Sequence, residues 1–375
     1  MLGALTIQRL LLKMREVDAS DLHVKTGVPP VLRVDSQLHR VEAPALDADD
    51  TRHLLAPIIP AALEARIEEQ GGVDFSHQVT GESGVEERYR CSVFRAGEGL
   101  HAAIRRVKPV IPSFEDLHLP PVHARVADTT HDGLVVVCGV TGSGKSSTLA
   151  AMIDHINRTR AANIITIEDP VEYLFQPQAS IVSQREVGID VPDFPTALRA
   201  AVRQDPDVLL IGEMRDRETM FAGIQAAETG HLVFATLHTA DATNAFARIL
   251  EFFDRSEHEF VRSALAAGLR AVMAQRLIPS VKPGIGRVPA TEVLLNNGTV
   301  AELIRDERDE DLAAAMAGSR AEGMHDFTSS LGKLVMDDWV ELKVAERYAP
   351  NRDALRSLVK GIQVKADTLV HRVKG

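Results

Sequence analysis

Residues 134–147 read Leu-Val-Val-Val-Cys-Gly-Val-Thr-Gly-Ser-Gly-Lys-Ser-Ser. The first five are a short apolar, β-branched run that ends at a glycine, as a buried strand does. Residues 139–146 then fit G-x-x-x-x-G-K-[ST], the phosphate-binding loop. After them Leu149, Met152, Ile153 and Ile156 recur at helical spacing, predicting a helix over 145–158. A strand, a glycine-rich turn and a helix N-terminus make an anion site. Successive backbone N–H groups point at phosphate oxygens, and the helix dipole adds partial positive charge. The loop residues Gly139, Val140, Thr141, Gly142, Ser143, Gly144, Lys145, Ser146 and Ser147 are therefore candidates to hold ATP. Lys145 would reach the β- and γ-phosphates, and the Ser146 hydroxyl would ligand Mg²⁺.

The rest of the composition is that of an ordinary globular chain. Its 375 residues are 45% hydrophobic and 25% charged, enough for a sizeable core and two or three domains. The formal net charge of −11 gives no support to a nucleic-acid partner. Two cysteines, Cys91 and Cys138, lie in apolar runs and read as reduced core residues of a cytosolic protein. Two are too few for a four-cysteine zinc site within one chain. No apolar run reaches membrane-spanning length, so no direct membrane insertion is expected. The opening MLGALTIQRLLLKM carries Arg9 and Lys13 inside its apolar run, which suits an amphipathic helix better than a signal peptide.

Along the chain, residues 1–107 read as an α+β unit. A helix over Ile7–Val17 precedes short strands at 19–24 and 30–34. Asp47–Glu69 reads helical with a break at Pro60, and 73–79, 87–94 and 100–107 read as antiparallel strands covered by helices on one face. Residues 108–121 hold Pro109, Pro112, Pro120 and Pro121 and read as a linker. From 122 to 298 strands and helices alternate: strands at 134–138, 163–167, 208–212, 231–236 and 287–294, helices at 145–158, 194–204, 217–229, 241–252 and 257–270. That alternation predicts a largely parallel, doubly wound sheet with its chemistry at the strands' C-terminal ends. Residues 299–375 read mostly helical.

Other groups join the phosphate loop. The apolar strand Val208–Ile211 runs into Gly212-Glu213-Met214-Arg215-Asp216, and Glu213 can activate the attacking water or hold Mg²⁺ through water. Ile165-Thr-Ile-Glu-Asp-Pro-Val-Glu-Tyr173 ends a strand at Glu168 and Asp169, a carboxylate pair suited to metal and water positioning. Glu172, further round the turn, is less suited to point in. The strand near 231–236 has His231 at its start and His238 just past its end, where a nucleotide would sit; either is a candidate, and either could be a structural histidine. Arg88, Arg90, Arg95, Arg105 and Arg106 alternate in the first unit. Phosphoryl transfer gains from an arginine brought from outside the loop's own domain, and Arg105 and Arg90 are the leading candidates.

Taken together these segments resemble the secretion-type ATPases of type II secretion and type IV pili, most closely the pilus retraction ATPases, PilT and its paralogue PilU. The residues that carry the likeness are Ala19–Val34, the loop at Gly139–Ser147, the acidic box at Ile165–Tyr173, Gln184-Arg-Glu-Val187, Ile211–Asp216 and the histidine box at Ala227–His238. Val140 stands where the family commonly has proline, and Leu-Ile-Arg in Ala301–Glu307 keeps only the core of the retraction-type helix. Ala274–Pro279 and Ser319–Met324 are nearer the paralogue. The resemblance implies a PAS-like N-terminal domain, a RecA-like core and a cytoplasmic, hexameric ATPase that retracts pili from the inner face of the inner membrane. Its partners would be its own copies, the platform protein and paralogous pilus ATPases. The first domain at the start of the chain and the absence of a zinc motif favour retraction over assembly. A secretion or assembly ATPase and an ATP-gated regulatory protein remain open alternatives, and a DNA translocase finds no basic channel in the composition.

Overall fold

The computed structural model describes residues 5–35, 37–80, 86–107 and 110–361. They form two compact units. One comprises residues up to Ile111 together with 167–175 and 184–197; the other holds 112–166, 176–183 and the remainder from 198.

The first unit is built on a six-stranded sheet of β1 (Asp21–Val24), β2 (Val31–Val34), β3 (Gln37–Arg40), β4 (Gly72–Thr80), β5 (Glu86–Ala96) and β6 (Gly99–Val107), in the order β3-β2-β1-β6-β5-β4. The pairings are antiparallel, so alternate residues share a face. Leu22, Leu32, Phe75, Tyr89, Cys91 and Ile104 point to one side. They form a core with Ile7, Leu10, Leu11 and Met14 of the first helix, Ile7–Glu16, and with Leu54, Leu55, Leu63 and Ile67 of the helices at Ala48–Leu55 and Ala61–Gln70. The opposite face receives Asp21, Arg33, Ser76, Arg88, Arg90 and Arg105. Asp21 pairs with both Arg33 and Arg105 in register, and Arg90 pairs with Arg105 and Ser76. Period-two alternation thus puts Arg88, Arg90 and Arg105 on the face away from the core, and Arg95 and Arg106 in phase with the other face. β3 has no counterpart in the sequence reading, because Gln-Leu-His-Arg at a sheet edge carries no β-branched run.

The second sheet is seven-stranded, in the order β13-β12-β7-β11-β10-β8-β9, from β7 (Gly133–Cys138), β8 (Asn163–Glu168), β9 (Ile181–Glu186), β10 (Val208–Ile211), β11 (Leu232–Leu237), β12 (Leu269–Pro279) and β13 (Arg287–Leu295). β7 lies between β12 and β11, parallel to both, β10 is parallel to β11, and β13 returns antiparallel to β12. β7, β10 and β11 are buried at every residue, which is why they read as continuous apolar runs. β12 overturns the extent of the helix expected over 257–270: it stops at Gly268, and an eleven-residue strand follows. Leu-Arg-Ala-Val-Met-Ala-Gln-Arg-Leu-Ile favours a helix locally. Pairing to β7 and β13 on its two edges makes it a strand instead.

Residues 112–121 cluster with the second unit. Phe114 is buried with its ring 5.4 Å from that of His155, and His118 packs 4.8 Å from Trp339. Lys108 and Pro109 lie outside the described residues. Beyond β13, helices at Gly298–Arg305, Leu312–Gly318, Phe327–Met336, Leu342–Tyr348 and Arg352–Val359 bear out a helical C-terminal region as far as 361; residues 362–375 lie outside the described ones.

Candidate functional site

The phosphate loop leaves β7 at Gly139, and the helix Lys145–Thr159 starts directly behind it. Its shape depends on two glycines. Gly144 has φ of 91°, left-handed space that a side chain resists, and a Cβ there would lie 2.9 Å from Gln275 Nε2. A Cβ on Gly139, at φ 152°, would meet the backbone oxygen of Gln275 at 2.7 Å. Gln275 of β12 clamps the loop: its Nε2 donates to the Ser143 carbonyl at 2.7 Å, and its Oε1 accepts from the Thr148 hydroxyl at 2.8 Å. This contact is not visible in the sequence, because the strand carrying Gln275 does not read as one there.

Lys145 is only 9% exposed, and its Nζ donates to the carbonyls of Gly139 at 2.8 Å and Val140 at 3.3 Å. The ammonium is thus held over the loop. No side chain caps the helix at Gly144, which leaves the first-turn N–H groups to an outside acceptor. The Ser143 hydroxyl is buried without a partner. Ser146 follows Lys145 in the first turn, with its side chain exposed. Such a cradle of donors with a fixed cation fits a polyphosphate.

Glu213 follows β10, and His238 follows the adjacent β11. Parallel pairing brings these two strand ends together. His238 Nε2 lies 3.1 Å from Glu213 Oε1, and Arg215 Nη2 lies 2.7 Å from Oε2. A carboxylate only accepts, so Nε2 carries the proton in this contact. Burial pushes the Glu213 carboxyl up. Hydrogen bonds and charge from Arg215, with those from His238, outweigh it and hold the group below the ordinary carboxylate range. The arrangement gives an ionised, oriented carboxylate at the edge of the sheet where β7 delivers the phosphate loop.

His231 is placed differently. It precedes β11, its Nδ1 lies 3.0 Å from the Ala226 carbonyl and 3.2 Å from the Thr229 hydroxyl, and its backbone oxygen accepts from Gly133 at the start of β7. The six residues of β11 separate it from His238, about 20 Å at 3.3 Å per residue. Within one chain it does not join the phosphate loop, and its contacts are those of a turn.

The acidic box clusters with the first unit. Glu168 Oε1 accepts from Gln184 Nε2 at 3.2 Å, and its Oε2 lies 3.4 Å from the Glu172 amide nitrogen. Asp169 opens the turn that follows, its peptide bond to Pro170 cis. Arg90 Nη1 pairs with Glu172 at 3.3 Å. Arg88, which sequence reasoning ranked below Arg90 and Arg105, is the most engaged of the set: it donates to the Val171 carbonyl at 3.0 Å and pairs with buried Glu186 at 3.2 Å, and Ser76 bonds the same carboxylate. Arg105 is 71% exposed and meets Asp21 at 2.9 Å. Arg90 and Arg105 are directly opposite across β5 and β6. Two like charges so placed repel, and each is offset by its own carboxylate, Glu172 for Arg90 and Asp21 for Arg105.

Among the described residues no group of three or more His, Cys, Asp or Glu converges on a metal site. A cation bound at the phosphate loop would take most of its ligands from phosphate oxygens and water, which suits Mg²⁺.

Residues 5–288 match the family described as Type II/IV secretion system protein. The type IV pilus "retractation" ATPase PilT of Pseudomonas aeruginosa is 39% identical over 92% of this chain and 98% of its own. The type IV pilus ATPase PilU of the same organism is 37% identical over 98% and 95%. A crystal structure of the pilus retraction motor PilT with bound ADP superposes with a TM-score of 0.85, at 40% identity, over 94% of this chain and 99% of that one. A phosphate loop, an oriented carboxylate on the neighbouring strand and this end-to-end likeness converge on one conclusion: the chain belongs to the type II/IV secretion ATPase family, in its PilT- and PilU-like branch.

Proposed function

We propose that this protein hydrolyses ATP to drive type IV pilus retraction, as a cytoplasmic hexamer at the inner face of the inner membrane that acts on the pilus platform protein. The observation that carries the reading is the Glu213 carboxylate, held by His238 and Arg215 on the strand edge that also bears the phosphate loop. Near end-to-end likeness to a named retraction ATPase supports the cellular role.

In this reading residues 139–147 wrap the triphosphate, and Lys145 exchanges its loop carbonyls for β- and γ-phosphate oxygens. Mg²⁺, when bound, would neutralise developing phosphate charge, with Ser146, Glu213 and Asp169 as the residues available to it. Glu213 orients the attacking water. Its depressed pKa makes it a weak proton acceptor, so orientation is the larger part of its work. His238 fixes the carboxylate from one side. Glu168 is a second carboxylate for water or metal. Arg105 and Arg90 supply cations from the first unit, to their own nucleotide or a neighbour's; Arg105 is the freer, since an exposed ion pair such as that with Asp21 restrains it little. The domain limits that go with this reading are 1–107, 108–121, 122–298 and 299–375.

Deleting the gene and counting surface pili tests the role. Piliated or hyperpiliated cells that cannot twitch are expected. Bald cells would assign the protein to assembly, and normal twitching with weak retraction under load would make it the accessory paralogue.

A further inference from the structure

Two side chains on the last two strands hold the segment that starts at His238. Arg276 of β12 and Glu292 of β13 stand almost level in the β12–β13 register, where Ala274 faces Glu292 and Arg276 faces Ala290. Glu292 is buried at 7% exposure, and its two oxygens accept separately: Oε1 from the Ala242 amide at 2.8 Å and Oε2 from the Phe327 amide at 3.3 Å. Arg276 divides in the same way. One terminal nitrogen donates to the Ala240 carbonyl at 3.1 Å and the other to the Tyr348 carbonyl at 2.8 Å, while its guanidinium lies 4.0 Å from the centre of the Phe327 ring.

Both residues therefore grip the same two things. One is the backbone of 240–242, two to four residues past His238. The other is the helical C-terminal region, at the start of the helix Phe327–Met336 and the end of the helix Leu342–Tyr348. A buried carboxylate is costly to keep and is retained where its hydrogen bonds matter. Burial raises the Glu292 carboxyl, with Asp241 and Asp326 adding to the rise, and the two backbone N–H bonds oppose it. Asp241 and Asp326 are themselves occupied: each accepts from backbone three residues on, at Asn244 and Ser329.

We propose that Arg276 and Glu292 are positioning residues: they clasp the 239–242 segment to the C-terminal helices, and so set the place of His238 and, through it, the orientation of the Glu213 carboxylate. The clasp rests on the reading of Glu213 given above. It makes hydrolysis sensitive to how the C-terminal helices sit, a direct mechanical link between that region and the water-orienting carboxylate.

The test is a pair of double-mutant cycles on the full-length protein, read by steady-state and single-turnover ATP hydrolysis beside thermal unfolding. Glu292→Gln keeps the volume but turns an amide NH₂ toward one of the two donors. Arg276→Gln loses the reach to both carbonyls. Each is expected to lower kcat about tenfold, the scale of one hydrogen bond to a charged group, with KM for ATP within about twofold. In a Glu213→Gln background neither should slow hydrolysis further, because residues acting through one group are not additive. A purely structural role predicts equal fold losses in both backgrounds, and that result, or an unchanged kcat in both folded single variants, overturns the clasp. Should Glu292→Gln unfold the chain, Arg276→Lys reads the same link; it keeps the charge and one of the two carbonyl bonds and should restore part of the kcat lost in Arg276→Gln. Full activity in Glu213→Gln alone would instead overturn the site on which the clasp depends.

Discussion

Glu213→Gln bears most directly on the site. The carboxylate takes Arg215 on one oxygen at 2.7 Å and His238 on the other at 3.1 Å. An amide can keep one of these bonds but presents NH₂ to the second donor, and it loses both the negative charge and the capacity to take a proton. Loss of a general base costs roughly 10²–10⁴ in rate. Because Arg215 and His238 keep the Glu213 carboxyl below its ordinary range, it contributes more by orienting water than by accepting the proton, so the expectation sits at the low end, about 10² in kcat. ATP binding should be kept, since Lys145 and the loop amides are untouched; Lys145→Ala, which should lose both binding and turnover, is the control. The sign of the pH dependence follows from the lowered pKa. Glu213 is ionised above it and is lost to protonation only as pH falls through it, so kcat should show no acid limb from this residue between pH 6 and 8. The assay is phosphate release by purified protein across that range, with nucleotide binding measured separately. Wild-type turnover in Glu213→Gln, or an acid limb near neutrality that the substitution removes, would refute the assignment.

Two further outcomes follow from the structure. Arg105→Ala and Arg90→Ala should retain ATP binding and ring assembly yet hydrolyse more slowly, Arg105→Ala the more so; ATPase activity beside light-scattering mass checks this, and full activity in both would exclude these two arginines as the cation from the first unit. His123 is buried with its Nε2 unpartnered, and burial pushes its pKa down to about 4, with the bond to the Pro120 carbonyl opposing and nearby His325 adding to the fall. A depressed histidine keeps its contribution above the unfolded value of 6.5 and loses it as pH falls towards 4, about 3 kcal/mol at 1.36 per unit; unfolding midpoints of wild type and His123→Gln should converge over that window, and parallel curves would show that His123 does not carry it.

The sequence by itself determined what is written in short-range pattern. The run 134–147 specifies strand, loop and helix, because apolar continuity, glycine placement and helical spacing are all local. Alternation in 87–94 and 100–107 likewise made antiparallel strands and put Arg88, Arg90 and Arg105 on one face. Tertiary pairing decided the rest. Residues 269–279 have helix-favouring chemistry, and only neighbours on both edges made them a strand, which then brought Gln275 to the loop and Arg276 to the segment after His238. His231 and His238 look equivalent in an eight-residue window; strand direction sends one to the phosphate end and the other away from it. Arg88 and Arg105 look equivalent too, yet Glu186, about a hundred residues on from Arg88, buries one while the other stays exposed. Local spacing chooses an element and a face, but which side chain meets which depends on register between strands far apart in the chain, and that is fixed only when the whole core packs.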